Sequence, residues 1–125
     1  MESKFYRCPH CGNIVEMVQD AGVNPVCCGQ KMELLAPNTV EASNEKHIPV
    51  VTVDQDKVQV KVGSAEHPMV ENHFIQWIQL NTDKGSQRIY LKPGQAPEVL
   101  FYLGGQKPKA VYSYCNLHGL WKTEW

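Results

Sequence analysis

Four of the five cysteines lie in the first 28 residues of this 125-residue chain, as two pairs. The first pair is the knuckle Cys8-Pro9-His10-Cys11, followed by Gly12. The second is the adjacent pair Cys27-Cys28, followed by Gly29. Two pairs about fifteen residues apart predict a single tetrahedral four-sulfur metal site.

Two glycines suit this site. A positive φ at Gly12 would let backbone amides approach the knuckle sulfurs. Adjacent side chains on a strand point to opposite faces, so Cys27 and Cys28 can meet one ion only through a turn, which Gly29 eases. We therefore expect a tetrahedron that is distorted relative to one built from two knuckles.

Zinc and iron both accept four thiolates, so the spacing leaves the metal open. Residues 1–36 are too few to fold on a core of their own, and the metal is expected to supply much of their folding free energy. His10 lies inside the knuckle, but four cysteines already fill the tetrahedron, so we interpret it as facing solvent.

Composition narrows the class of protein. The 12 basic and 13 acidic residues give a formal charge of -1, with no basic cluster of the kind that binds nucleic acid. No apolar run is long enough to span a membrane, and the first residues lack the apolar stretch of a secretory signal. We expect a cytoplasmic protein, in which five cysteines indicate metal or redox chemistry more than disulfides.

A domain boundary is predicted at Pro37, dividing the chain into residues 1–36 and 37–125. Asn38-x-x-Glu41 predicts a short helical turn over Thr39 to Ser43. The remainder is a series of short strands with turns between them, which predicts an antiparallel β-sandwich of immunoglobulin type without a disulfide. The predicted strands are Lys57–Val62, Phe74–Leu80, Gln87–Leu91, Val99–Leu103 and Lys109–Cys115.

The second domain carries the remaining cysteine and four histidines, each at a predicted loop or strand end. Each histidine alone is more commonly an ordinary surface or core residue, and Cys115-x-x-His118 alone would also suit half of a structural zinc site. Because the ends of sandwich strands cluster in space, however, four imidazoles and one thiolate can converge. The candidate ligands are His47, His67, His73, His118 and Cys115.

Five such donors are too many for structural zinc, which is almost always four-coordinate. They suit iron held square-pyramidally, with the imidazoles in the plane, Cys115 axial and the sixth position open. Ferrous iron with one thiolate carries a formal charge of +1, and Lys46 adds to it, so a small anion would be attracted. From spacing alone, the chain is a redox metalloprotein whose reaction is unspecified.

Over essentially its whole length the sequence resembles the desulfoferrodoxins, the two-iron class of superoxide reductase. The matching segments are Cys8-x-x-Cys11 with Cys27-Cys28, Glu45-Lys46-His47-Ile48-Pro49-Val50, His67-Pro68-Met69, His73-x-Ile75-Gln76-Trp77 and Cys115-Asn116-Leu117-His118-Gly119. The resemblance implies a desulforedoxin-like domain with a four-cysteine iron, and an immunoglobulin-like domain with a catalytic iron on the five ligands named above.

The resemblance also implies an activity and partners. It implies one-electron reduction of superoxide to hydrogen peroxide, a homodimer, and rubredoxin as electron donor. Lys46 would steer the anion and organise the water that delivers protons. Glu45 would occupy the sixth position in the ferric state. Two alternatives remain: a two-centre iron electron-transfer protein without a substrate, and a zinc-stabilised interaction module with scattered surface histidines.

Overall fold

The computed structural model describes residues 2–125, which form two compact units, the first ending at Ala36 and the second beginning at Pro37. The first unit contains five short strands: β1 (Phe5–Arg7), β2 (Ile14–Glu16), β3 (Val26–Cys27), β4 (Gln30–Lys31) and β5 (Glu33–Leu34). Three of them form an antiparallel sheet in the order β2-β1-β5, and β3 pairs with β4 as a separate hairpin. Its small core holds Tyr6, Cys8 and Met32, so a cysteine of the predicted metal site is itself part of the core.

The β3–β4 hairpin turns at Cys28-Gly29, and both residues have a positive φ, of 54° and 74°. Positive φ at both central positions is the signature of a type I′ turn, whose twist suits a tight hairpin. The turn brings the Sγ atoms of Cys27 and Cys28 to 3.9 Å from each other. The predicted turn, which Gly29 eases, is therefore confirmed, as is the positive φ at Gly12.

The second unit contains one helical turn and seven strands. In chain order they are α1 (Asn44–His47), β6 (Pro49–Asp54), β7 (Lys57–Val62), β8 (Ile75–Thr82), β9 (Ser86–Tyr90), β10 (Glu98–Tyr102), β11 (Pro108–Cys115) and β12 (Gly119–Glu124). They form two antiparallel sheets, β10-β7-β6 and β12-β11-β8-β9. The predicted fold class, mainly β with a small metal-binding domain before an antiparallel sandwich, is confirmed.

The alternation of buried and exposed side chains along β7 shows which face of its sheet packs on the core of the sandwich. Val58, Val60 and Val62 are buried, whereas Lys57 and Lys61 on the opposite face are exposed and Gln59 is half-buried, as a strand with one face on a core requires. Ile78 and Leu80 of the other sheet join the same core cluster. Cys115 belongs to this cluster as well, so the core itself fixes the end of β11.

One predicted element is wrong. The helical turn lies at Asn44–His47, not at Thr39 to Ser43, and His47 is its last residue instead of part of a loop. Asn38 does not cap a helix: its φ is +62°, and its side chain exchanges two hydrogen bonds with the backbone of Lys122, at 2.8 and 3.0 Å. The Asn38 side chain therefore binds the backbone of Lys122, 84 residues away, instead of capping a helix that starts beside it.

The five strand predictions match β7 to β11 within two residues at each end. Over residues 2–125, helix α1 is far too short to cross a bilayer, and no other helix is present.

Candidate metal centres

The first cluster consists of the four sulfurs of Cys8, Cys11, Cys27 and Cys28, all within 4.8 Å of one another. The Sγ atoms of Cys11 and Cys27 are 3.6 Å apart, and those of Cys27 and Cys28 are 3.9 Å apart. A tetrahedral site with metal–sulfur bonds of about 2.3 Å has edges of roughly 3.8 Å. The spacing of the sulfurs therefore fits one tetrahedral ion.

The electrostatics of this cluster also favour a cation. The N–H of Cys11 donates to the sulfur of Cys8 at 3.5 Å, and this hydrogen bond lowers the pKa of Cys8 to about 6. Hydrogen bonding with Cys11 raises the pKa of Cys28 to about 12 and also raises the pKa of Cys27. Crowded thiols resist a second negative charge, and a bound cation removes that resistance. His10 is exposed, as predicted.

The second cluster gathers residues from five parts of the sandwich. His47 ends α1, His67 lies in the loop after β7, His73 precedes β8, Cys115 ends β11, and His118 lies in the turn before β12. One ligand atom from each of His47, His67, His73 and Cys115 lies within 4.8 Å of those from the other three. The fifth residue adjoins them: His118 Nδ1 is 3.1 Å from His47 Nε2 and 3.9 Å from Cys115 Sγ.

The four imidazole rings are arranged as a square. Neighbouring pairs have ring centroids 4.6 Å (His47–His67), 4.7 Å (His67–His73), 5.1 Å (His73–His118) and 4.8 Å (His118–His47) apart, and each pair is nearly perpendicular, at 76–87°. His47 and His73, on one diagonal, are 6.4 Å apart and closer to parallel, at 28°. One nitrogen from each of His47, His67 and His73 lies within 4.8 Å of the others, and Nδ1 of His118 lies 3.1 Å from Nε2 of His47.

Backbone carbonyls select the nitrogen that points inward. Nδ1 of His47 donates to the carbonyl of Ser43 at 2.7 Å, and Nδ1 of His67 donates to the carbonyl of Pro68 at 2.7 Å. In both rings the Nε2 is left as the basic atom. A carbonyl that holds the distal N–H of a ligating imidazole is the usual second-shell support of a metal site.

Two buried nitrogen atoms of the cluster have no hydrogen-bond partner among the described residues. They are Nε2 of His67 and Nε2 of His73. A buried polar atom without a partner costs free energy, which a bound metal ion would recover. Burial also lowers the pKa of His67 to about 4 and lowers those of His47 and His73, so these imidazoles stay neutral, the form that binds metals.

Cys115 is fully buried beside the imidazoles. Burial raises the pKa of its thiol, while the backbone N–H groups of His118 and Leu117 donate to the sulfur and act in the opposite direction. A positive charge at the centre would favour the thiolate further. The predicted Cys-x-x-His turn therefore supplies one sulfur and one nitrogen to the same cluster.

Glu45 and Lys46 lie on α1, directly before His47, and both side chains are exposed. The charge of Lys46 contributes to the lowered pKa values of His47 and His73, which places it within electrostatic range of the cluster. The α1 backbone is held by the segment after β7: the N–H of Ala65 and the hydroxyl of Ser64 donate to the carbonyl of Glu45, at 2.8 and 3.2 Å.

Two family models match the chain, one for each unit. The desulfoferrodoxin N-terminal domain matches residues 1–35, and the desulfoferrodoxin domain matches residues 39–124. The chain belongs to the desulfoferrodoxin family. A desulfoferrodoxin from Syntrophotalea carbinolica is 50% identical over 121 residues, which cover 97% of this chain and 95% of that protein.

Solved structures agree with this assignment. The superoxide reductase from Treponema pallidum aligns with a TM-score of 0.82 and 38% identity, over 99% of this chain and 100% of that one. The one-iron superoxide reductase from Giardia intestinalis aligns with a TM-score of 0.56 and 30% identity, over 65% of this chain and 97% of that one. With the two clusters described above, desulfoferrodoxin membership indicates two iron sites per chain.

Sequence reasoning missed the groups that orient the ligands. The Ser43 carbonyl acts on His47 only because α1 places it four residues earlier on the same turn. Trp121 contacts two of the histidines, through a hydrogen bond to the carbonyl of His118 and a stack on the ring of His47. The available signal was a tryptophan three residues after His118 in the sequence.

Proposed function

We propose that the chain is a superoxide reductase, which converts superoxide to hydrogen peroxide without releasing dioxygen. The observation that supports this most strongly is the square of four imidazoles next to the buried sulfur of Cys115. Five donors exceed the four of structural zinc, so the site suits a metal with chemistry to perform. Relatives of the same fold carry the name superoxide reductase.

The reaction needs one electron and two protons for each superoxide: O₂•⁻ + e⁻ + 2H⁺ → H₂O₂. Iron held by His47, His67, His73, His118 and Cys115 would supply the electron. The protein must then hold the reduced metal, attract an anion and deliver two protons.

The ligands adapt the site to electron donation. Cys115 is the single anionic donor of the proposed five, and a thiolate gives more electron density than a neutral imidazole. The carbonyls of Ser43 and Pro68, which accept from the Nδ1 atoms of His47 and His67, make those imidazoles more basic. Both effects favour release of an electron to the substrate.

Lys46 is proposed to attract superoxide and to organise proton delivery. Its ammonium group is exposed on α1, one residue from His47, and its charge reaches His73. An ammonium within electrostatic range of the cluster would attract a small anion toward it, and its N–H groups would hold water that can pass protons to the site. Two protons delivered in this way would release the product as hydrogen peroxide with its O–O bond intact.

In the oxidised protein Glu45 would, by family resemblance, provide a carboxylate ligand at the place where substrate binds. Its carboxylate is exposed, and its backbone is anchored through Ala65 and Ser64. An anchored backbone with a free side chain is what a carboxylate needs to swing toward the site and away from it.

Product stoichiometry tests the proposal. Reduced protein is mixed with superoxide, and peroxide and dioxygen are measured together. A reductase forms one peroxide per superoxide and no dioxygen. Formation of one peroxide and one dioxygen from two superoxides would make the protein a dismutase. No reaction beyond spontaneous dismutation would favour a two-centre electron-transfer protein.

We propose a rubredoxin-type protein as electron donor and the four-cysteine iron as an electron relay or dimer-stabilising site. The Cys28→Ser variant tests the second part. If its rate with superoxide and its re-reduction by rubredoxin both equal those of wild type, the first iron is not a relay.

We also propose a cytoplasmic homodimer. None of the five cysteines forms a disulfide, as is usual in a reducing compartment. Sedimentation of the iron-loaded protein tests the dimer, and cell fractionation tests the compartment; a monomer, or recovery outside the cytoplasm, would contradict the respective proposal.

A further inference from the structure

Trp121 touches two of the proposed ligands with one side chain. It is fully buried on β12, and its Nε1–H donates to the carbonyl of His118 at 3.1 Å. The same indole stacks on the His47 ring, with centroids 4.9 Å apart and an interplanar angle of 27°. These two histidines are neighbours in the imidazole square, 4.8 Å apart at 87°.

His118 depends on its backbone more than His47 and His67 do. Its Nδ1 faces the centre, as its distances to His47 Nε2 and Cys115 Sγ show, so that atom cannot also donate to a carbonyl as His47 and His67 do. Nδ1 is bonded directly to Cγ, close to the main chain, and a small displacement of the backbone therefore moves the ligand atom by nearly as much. The Trp121 hydrogen bond anchors this backbone.

His47 gains a different constraint from the same indole. The carbonyl of Ser43 fixes its Nδ1, which leaves rotation about that hydrogen bond as the remaining freedom of the ring. A stacked aromatic face of comparable size restricts this rotation. Trp121 thus limits the one motion that the carbonyl leaves open.

We infer that Trp121 is a positioning residue for the second metal centre, which sets the angle between the His47 and His118 rings before the metal binds. The inference rests on the ligand set of the proposed function but not on its reaction, because its test reads the metal centre directly. The superoxide reaction can fail while this inference stands, and the reverse also holds.

The test compares Trp121→Phe with Trp77→Phe. Phenylalanine at 121 keeps an aromatic ring for the stack and removes the N–H donor. Trp77 is a matched control, since it is 7% exposed and stacks on Tyr114 at 5.6 Å. Both proteins are loaded with ferrous iron, the affinity of the second site is measured by chelator competition, and the thiolate-to-iron absorption is recorded after oxidation. The four-cysteine iron of the same chain is the internal standard.

For Trp121→Phe we expect roughly 10-fold weaker iron binding at the second site, as is usual when a second-shell support is lost, and a shifted absorption band. The four-cysteine spectrum should stay unchanged, and Trp77→Phe should match wild type in both readouts. Wild-type affinity and an unshifted band in Trp121→Phe would overturn the inference. So would an equal effect of Trp77→Phe, or a Trp121→Phe protein that does not fold, since either would assign the indole to general core packing.

Discussion

Nε2 of His47 lies 3.1 Å from Nδ1 of His118, although the two residues are 71 positions apart in the chain. The other nitrogen of His47 already donates to the Ser43 carbonyl, so a neutral His47 presents a lone pair at Nε2. Two ring nitrogens at this distance need a proton or a cation between or beside them. A metal ion serves both nitrogens and also the partnerless Nε2 atoms of His67 and His73.

Replacing Lys46 with alanine should slow the reaction of reduced protein with superoxide by roughly 10-fold at low ionic strength, because one steering charge is lost. The rate should also depend less on salt. Stopped-flow or pulse-radiolysis rates over a series of ionic strengths measure both effects. The control is Lys57→Ala, at the far end of β7 from the His67 loop, which changes net charge equally and should leave the rate unchanged. Equal rates in wild type and Lys46→Ala at low salt would remove Lys46 from the mechanism.

Replacing Glu45 with alanine should strengthen binding of azide to the oxidised protein. The carboxylate is proposed to compete for the open position, and its removal leaves that position to external anions. Azide titration followed by visible absorption measures the change. Glu66→Ala, which removes another exposed carboxylate beside a ligand, should keep wild-type affinity. If the two variants gain affinity equally, the effect is one of general charge.

Replacing Cys115 with serine should abolish the thiolate-to-iron absorption of the second site together with superoxide reduction, because a neutral hydroxyl is a poor donor to iron. The absorption of the four-cysteine iron should remain. Visible spectra of the oxidised protein and the peroxide yield are the measurements. The complementary Cys28→Ser variant should lose the absorption of the four-cysteine iron and keep the thiolate-to-iron absorption of the second site. Retention of both band and activity in Cys115→Ser would refute its role as ligand.

Replacing Gly63 with alanine should destabilise the protein by about 1–3 kcal/mol, the usual range for forced overpacking. A Cβ there would lie 2.5 Å from the Glu45 carbonyl oxygen and 3.0 Å from the Lys46 carbonyl carbon, so α1 must move. Denaturant unfolding measures the loss, and weaker iron binding should accompany it because His47 ends α1. Gly85→Ala has no atom within 4 Å and should change stability by less than about 0.5 kcal/mol. Equal stabilities of the two variants would contradict the close approach.

The sandwich could be predicted from the sequence because alternating apolar and polar residues indicate which face of a strand is buried. The valines of Lys57–Val62 alternate with polar residues, and the observed strand β7 has those bounds. The types of the ligands could also be predicted, as could the positions of all but His47 at loops or strand ends. That the ligands converge depends on sheet register, such as the pairing of Cys115 with Ile75 next to the bulge in β11, which no local pattern encodes.

Long-range partners caused the one wrong element. Asn38 has the side chain of a helix cap, but the backbone of Lys122 on β12 binds both the oxygen and the nitrogen of its side-chain amide. The close contact between Gly63 and α1 and the stack of Trp121 on His47 likewise join residues distant in sequence. Such contacts depend on the tertiary structure, so local sequence patterns could not predict them.

Anomalous diffraction at the iron edge, from crystals of the iron-loaded protein, tests most directly whether four imidazoles and one thiolate share one ion. We predict two iron peaks per chain. One should lie among the sulfurs of Cys8, Cys11, Cys27 and Cys28. The other should be bonded to a nitrogen of each of His47, His67, His73 and His118 and to Sγ of Cys115. A second peak that lacks His118 or Cys115, or no second peak at all, would contradict the account.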